Sequence, residues 1–395
     1  MHRGSNLKID LGFAGLLLTM AAGATNDNLV KTAFVVAITA LSWDLFGLDP
    51  VVLANIAALC FILPFVLFAG LAAFKANKQP PKQWLFTLKL IELVIALIAC
   101  FAIANQIGWI LLICVAGFGI QSALIGPLKY ALIPRLSNPS KILDRNAWME
   151  TATFIAILAG TILAADWIVS SPYLLICLIL VLAVTGCFGI LFLPALQGRS
   201  QIEQQSLVEL INQQRKDQRS MSAIWCLSGF WGVGSVWLTH LPILAVDIWQ
   251  LPPQSIGILL TYFVLGIIFG AIGGVLLEQQ ILVRRIFFGA LAMVIGSLLI
   301  QVSNHTAASI GLILTSAGGG FLALPLYTLL QDDLTVVANR IAVNNIANAY
   351  MIVLAAITSI LFVGLLGLPL VIWLLILSIG QLLLCLYHRT NLSLS

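Results

Sequence analysis

Charge is what this 395-residue chain has least of: Asp, Glu, Lys and Arg make up 9% of it, against 61% hydrophobic residues. A water-soluble domain carries roughly 25% charged residues. A chain this poor in charge cannot cover itself with polar surface, so lipid must be its solvent. Cysteine pairing is missing too. The 7 cysteines (Cys60, Cys100, Cys114, Cys177, Cys187, Cys226 and Cys385) all fall inside apolar runs with no CxxC spacing, which reads as small core residues and not as a disulfide frame or metal site. There is no GxxxxGKS or GxxxxGKT phosphate loop, no HExxH, no GxSxG elbow and no cysteine-histidine cluster. ATP-driven pumping and metallo- or serine hydrolysis therefore have no basis in the sequence, and neither cofactor nor metal is expected.

What fills the chain instead is a succession of apolar runs of about 20 residues, each long enough to cross roughly 30 Å of hydrocarbon. They place spans at about 11–41, 50–74, 85–104, 107–132, 147–168, 172–194, 222–247, 254–277, 284–302, 306–330, 341–365 and 368–388. No stretch is left over for a soluble domain. His2, Arg3 and Lys8, the apolar run from Leu11 and the Ala22-Gly23-Ala24 triplet imitate a cleavable leader. The apolar run resumes at Leu29 and continues to Leu41, so this segment is expected to remain as the first span.

Charge distribution gives an orientation. Of the 19 Lys and Arg residues only Lys31, Lys89 and Lys129 lie inside spans; the rest fall at the two ends and in every second connection, while the alternate connections carry Asp44, Asp49, Asp166 and Asp247. Under the positive-inside rule both termini are expected to be cytoplasmic. The net charge of +4 is thus a topology signal and not a nucleic-acid footprint.

The longest polar stretch, Gly198 to Ser220, divides the chain into an expected first bundle of six helices (1–197), a linker (198–220) and a second bundle (221–395). The second half echoes the first: Pro127-Leu128 and Pro325-Leu326 stand 198 residues apart, as do Asn146 and Asn344, and Glu150 and Asn348. The fold class expected is an all-α membrane protein of twelve transmembrane helices in two pseudo-symmetric six-helix bundles. Such parallel six-helix repeats are the arrangement of major facilitator transporters, with a substrate site near the midplane.

Ionisable residues inside spans are the informative ones, because each costs about 2.5 to 3.5 kcal/mol at a helix centre. Asp27 lies within Thr25-Asn26-Asp27-Asn28, near mid-membrane, with Lys31 one turn later on the same face. The pair can neutralise itself or face a cavity. Lys129, late in the fourth span, and Glu150, early in the fifth, should sit at similar depth; a structural salt bridge, a gate and direct substrate contact all fit them. Asn344 and Asn348 share a face of the eleventh span, beside Asn345, and suit interhelical hydrogen bonding or cavity lining. His240, near Pro242, has no second ligand at metal spacing and reads as a satisfied polar residue. Lys89 and Glu92 read as a snorkelling or structural pair. Gly266, Gly270 and Gly274 repeat every four residues, as close helix packing requires.

The segments GATNDNLVKTAF, GPLKYALIPRL, NAWMETATFIAILAG, FWGVG, GGGFLALPLYTLLQ and RIAVNNIANA resemble the bacterial lysophospholipid transporter family of the major facilitator superfamily. The resemblance touches both halves; its most specific parts are Pro127 to Tyr130 and Met149-Glu150. It implies an inward flippase that moves lysophosphatidylethanolamine and related lysolipids from the outer to the inner leaflet of the bacterial inner membrane, where an acyltransferase restores the second chain. Asp27, Lys129 and Glu150 match the family's polar positions in helices 1, 4 and 5 and are implied in gating or coupling. With Lys31, Asn344 and Asn348 they form the expected substrate-binding set. Three features depart from the family pattern: Trp237-Leu238 stands where an arginine is usual, Lys31 occupies an apolar position, and the loop after the second span, GLAAFKANKQ, lacks an acidic residue. A proton-coupled exporter of an amphiphilic drug or small metabolite, with Asp27 as proton carrier, is the alternative. A lipid-processing enzyme or a receptor lacks, respectively, a catalytic constellation and an extramembrane domain.

Overall fold

In hydrocarbon every backbone N–H and C=O must be satisfied within the chain. The computed structural model meets this with helices. It describes residues 2–43, 45–68, 71–72, 75–76, 79–137, 142–197, 207–275, 282–301, 305–330 and 337–393. Twelve helices of 18 or more residues occur among them: α1 His2–Ala40, α2 Pro50–Leu67, α3 Pro81–Ala104, α4 Gly108–Leu132, α5 Ile142–Ser170, α6 Pro172–Gly189, α7 Gln218–Ile243, α8 Ser255–Val275, α9 Leu282–Leu299, α10 His305–Leu330, α11 Val337–Ser359 and α12 Leu370–Tyr387. A short linker helix, Leu207–Gln214, precedes α7. Ten of the twelve are long and apolar enough to span a membrane. The other two are α1, whose middle carries Thr25 to Asn28 and Lys31, and α9, whose first turn carries Arg284 and Arg285.

Local chemistry sets the boundaries. Proline opens α2, α3 and α6, where its missing N–H costs nothing. The connections after α1, α3 and α7 turn through left-handed residues, Ser42, Phe46, Gln106 and Gln250 among them, and Gly367 with φ +68° does so before α12. Two elements run on as π-helical turns, Leu244–Ile248 after α7 and Ile360–Leu365 after α11.

The chain forms two compact units, Met1–Gly47 with Cys60–Gln204 and Leu48–Leu59 with Gln205–Ser395, so the first turns of α2 pack with the second unit. In the first unit α1 packs on α4, α5 and α6, and α3 on α4 and α6. In the second α7 packs on α10, α11 and α12, and α9 on α10 and α12. These pairs correspond helix for helix at an offset of six. Close approach is bought with glycine: Gly270 of α8 lies against the Ala317 backbone of α10, and Gly320 of α10 against that of Ile267.

Helix faces are reversed relative to a soluble protein. In α3, Ile91, Val94, Ile98 and Phe101 are exposed, whereas Lys89, Glu92, Ala96 and Ala99 are buried. The cysteines do not all sit in the core as expected: Cys177 is exposed and Cys60 and Cys187 are half-buried, while all seven are free thiols.

Candidate functional site

The inward faces of α1, α3 and α4 hold the densest polar chemistry of the first unit. Beneath it lies an apolar base containing Leu16, Leu85, Leu88, Leu128, Leu132 and Met149, all buried. One residue beyond Leu88, Lys89 enters a slot that only glycines leave open. A methyl group at Gly23 of α1 would collide with its ammonium, and one at Gly186 of α6 would lie 3.3 Å from it. Lys89 Nζ donates to Glu92 Oε2 at 2.5 Å, both side chains being 1% exposed or less. The same carboxylate oxygen accepts from Gln121 Nε2 of α4 at 2.6 Å. The pair is therefore structural and fully buried; it does not snorkel to an interface.

Asp27 lies one turn beyond Gly23, 6% exposed. Its Oδ2 accepts from the Ser122 hydroxyl at 2.5 Å, and its Oδ1 is buried without a partner. Among the described residues it forms no ion pair. Lys31 does not neutralise it directly: the lysine donates to Asn28 Oδ1 at 2.9 Å and its ammonium lies 5.1 Å from the centre of the Phe61 ring. The neighbouring Asn26 donates to the Ile179 carbonyl at 3.2 Å, leaving its own oxygen free. Three buried oxygens with no donor, on Asn26, Asp27 and Glu92, therefore lie on adjacent elements. A buried acceptor left unsatisfied costs about 1–3 kcal/mol, so this region is built to receive hydrogen-bond donors or positive charge.

Residues 12–356 match the model of the Major Facilitator Superfamily. The chain belongs to that superfamily. It is a multi-pass membrane transporter and not an enzyme. It is similar over most of its length to proteins named Lysophospholipid transporter LplT: 29% identical over 336 residues to that of Enterobacter sp. (strain 638), covering 80% of this chain and 81% of the relative. The match to that of Klebsiella pneumoniae (strain 342) is 26% identical over 371 residues, 85% and 90% of the two chains. Two solved superfamily folds superimpose along nearly the whole chain. The E. coli fucose:proton symporter FucP does so with TM-score 0.62 and 14% identity over 98% of each chain, and an auto-inhibited POT family peptide transporter with TM-score 0.67 and 9% identity over 95% of this chain and 96% of its own.

Of the residues singled out from the sequence of this superfamily member, Asp27 and Lys31 stand together on α1. Lys129 is half-buried on α4, seven residues and hence two turns beyond Ser122. Glu150 lies on α5, but its side chain, like that of Asn146, falls outside the described residues, and with it the expected pairing with Lys129. Asn344 and Asn348 belong to the second unit. Asn348 accepts from Ser228 of α7 at 2.8 Å, whereas Asn344 is fully buried with neither amide atom partnered. His240 is satisfied twice, by the Val236 carbonyl at 2.9 Å and by Asn55 of α2 at 2.9 Å. The carbonyl requires a proton on Nδ1, so Nε2 is the acceptor for the Asn55 amide. Trp237 fills its place as a fully buried apolar residue, 1% exposed.

Gln121 and Ser122 escaped the sequence reading because neither is charged. Their signal was weak but present, two adjacent polar residues in the middle of an apolar helix. Two further ties were invisible in sequence. Arg145 of α5 binds Asp10 of α1 and the Leu136 carbonyl just beyond α4. Arg340 of α11 binds Asp217 before α7 at 2.9 Å and the Leu329 carbonyl of α10 at 3.5 Å. The same clasp thus closes equivalent helix ends in each unit.

Proposed function

We propose that this transporter moves lysophospholipids, lysophosphatidylethanolamine among them, from the outer to the inner leaflet of a bacterial inner membrane by alternating access, with both termini cytoplasmic. The observation that carries this reading is the similarity to proteins named Lysophospholipid transporter LplT along 80% or more of the chain. The site is compatible in chemistry. An amphiphile with a zwitterionic headgroup needs an acceptor for its ammonium and a cation for its phosphate, and the buried Asp27 and the nearby Lys31 offer one of each. In this reading Asp27, Lys31, Lys129 and Glu150 hold the headgroup, Asp27, Lys129 and Glu150 also serve in gating, Asn344 and Asn348 add polar contacts, and the acyl chain rests on apolar helix faces. A cytoplasmic acyltransferase would consume the delivered lysolipid.

The test is uptake of a labelled lysophosphatidylethanolamine into proteoliposomes. Lys129→Ala and Glu150→Ala should each abolish it with little loss of folded protein; uptake unchanged in both variants removes these residues from the mechanism. The free oxygen of Asp27 also favours a second reading, proton-coupled export of an amphiphilic drug or small metabolite. Transport of such a substrate that follows a pH gradient and disappears in Asp27→Asn would establish it over the first.

A further inference from the structure

Asp27 lies in a polar cluster drawn from three helices. Lys89 and Gln121 both donate to Glu92 Oε2. This fixes the Gln121 amide, because turning it over would set its oxygen against the carboxylate. Its oxygen then faces the Ser122 hydroxyl at 3.2 Å. Ser122 has one hydrogen and two acceptors within reach, and the shorter contact, 2.5 Å to Asp27 Oδ2, takes it. The Asp27 carboxylate is thus held by one oxygen only. Gln121 Oε1 and Ser122 Oγ then face each other with no hydrogen between them, so the direction of the second Asp27 oxygen, buried and free, is set by Ser122 of α4, which need never touch a ligand. The charged groups around Asp27 are Lys31 on its own helix and Lys89 and Glu92 on α3, and both lysines are engaged elsewhere, on Asn28 and on Glu92.

We infer that Ser122 is a positioning residue that aims Asp27 Oδ1 as a single acceptor for the ammonium group of a primary-amine headgroup. The inference rests on the lysophospholipid reading and deepens it. A carboxylate free to rotate accepts an ammonium in many poses and pays entropy for each. One held by the Ser122 hydroxyl presents a fixed oxygen, so Ser122 sets selectivity for amine-bearing over hydroxyl-only headgroups.

The test compares two lysolipids in proteoliposomes, one with an ethanolamine and one with a glycerol headgroup. Ser122→Ala and Ser122→Thr are prepared in parallel and each is checked for monodispersity and thermal unfolding. Ser122→Ala is expected to raise the apparent KM for the ethanolamine lipid about tenfold more than that for the glycerol lipid, with maximal rates changed far less. Ser122→Thr, which keeps the hydroxyl, should restore the wild-type ratio. Equal changes for the two lipids in Ser122→Ala, or no rescue by threonine, overturn the inference. If the wild-type protein carries neither lipid, the lysophospholipid reading itself fails, which is a different outcome from a wild type that carries both with a headgroup ratio that the variants leave untouched.

Discussion

The two units solve the same packing problem with opposite chemistry. Around α1, α3 and α4 the first unit buries two carboxylates and an ammonium and links them between helices. Around the corresponding α7, α9 and α10 the second unit buries, among the described residues, the Arg285 side chain in the first turn of α9 and otherwise neutral groups: Ser297 bonds to the Met293 carbonyl and Ser316 to that of Leu312 within their own helices, and Ser228 to Asn348 of α11. Trp231 donates to the Tyr327 hydroxyl at 2.8 Å in the same neutral style. Ions in hydrocarbon are expensive, and a buried ion pair is weak evidence for stability because desolvation offsets attraction. The linked carboxylates and ammonium of the first unit, beside unpartnered oxygens, are therefore better explained by recognition than by folding. The buried hydroxyls of α7, α9 and α10, by contrast, serve packing.

That contrast can be broken in four places. The largest effect should follow Glu92→Ala, which strands the buried Lys89 ammonium and should lower stability by about 3–5 kcal/mol, whereas Lys89→Met combined with Glu92→Leu should recover most of the loss. Chemical unfolding in detergent measures both, and a double variant as unstable as the single one would show that the charges themselves hold the unit together. Next comes Gly23→Ala, whose methyl group meets the Lys89 ammonium. It should cost about 1–3 kcal/mol, while Gly234→Ala in α7, with nothing within 4 Å, should stay within about 0.5 kcal/mol. Smaller again is Ser228→Ala, which removes the donor to Asn348 and should cost about 0.6 kcal/mol, the average for hydrogen bonds between membrane helices. Equal losses for Ser228→Ala and Glu92→Ala would erase the distinction between the units.

The smallest effect concerns pH. Burial works against the charge of Asp217, but the Ser220 hydroxyl and amide and the Arg340 guanidinium outweigh it and hold the carboxyl below its usual range. A depressed carboxyl stabilises the fold above its unfolded value of about 3.9, and that contribution fades as pH falls through and below that value. The Asp217 side chain is 38% exposed, so solvent screens most of the gain. The drop in Tm between pH 7 and pH 3.5 should be slightly smaller in Asp217→Asn than in the wild type; a larger drop in the variant would reverse the sign assigned to this group.

Most of the architecture was legible in the sequence because lipid leaves the chain few choices. Runs of apolar residues must become helices, and prolines at positions 50, 81 and 172 mark where three of them begin. The misplaced boundaries have local causes. α1 starts at His2, not near Leu11, because hydropathy stops at the lipid boundary while the helix does not; α5 and α11 likewise begin several residues before their apolar runs. The site was legible where it is charged and hidden where it is neutral. Asp27 and Lys31 declare themselves by their cost in a membrane. The i, i+3 spacing of Lys89 and Glu92 announces a pair but not the face it occupies, and the glycines that admit Lys89 come from two helices remote in sequence. Gln121 and Ser122 acquire meaning only once α4 is laid against α1 and α3.

The repeated arginine clasp has a practical consequence. Arg145 with Asp10 and Arg340 with Asp217 perform one task in two copies, so the molecule carries its own internal reference. Exchanging acid and base in one copy perturbs a single set of helix ends while the other reports what an undisturbed closure looks like in the same sample. Spectroscopic labels placed at both would then read cause and control from one preparation.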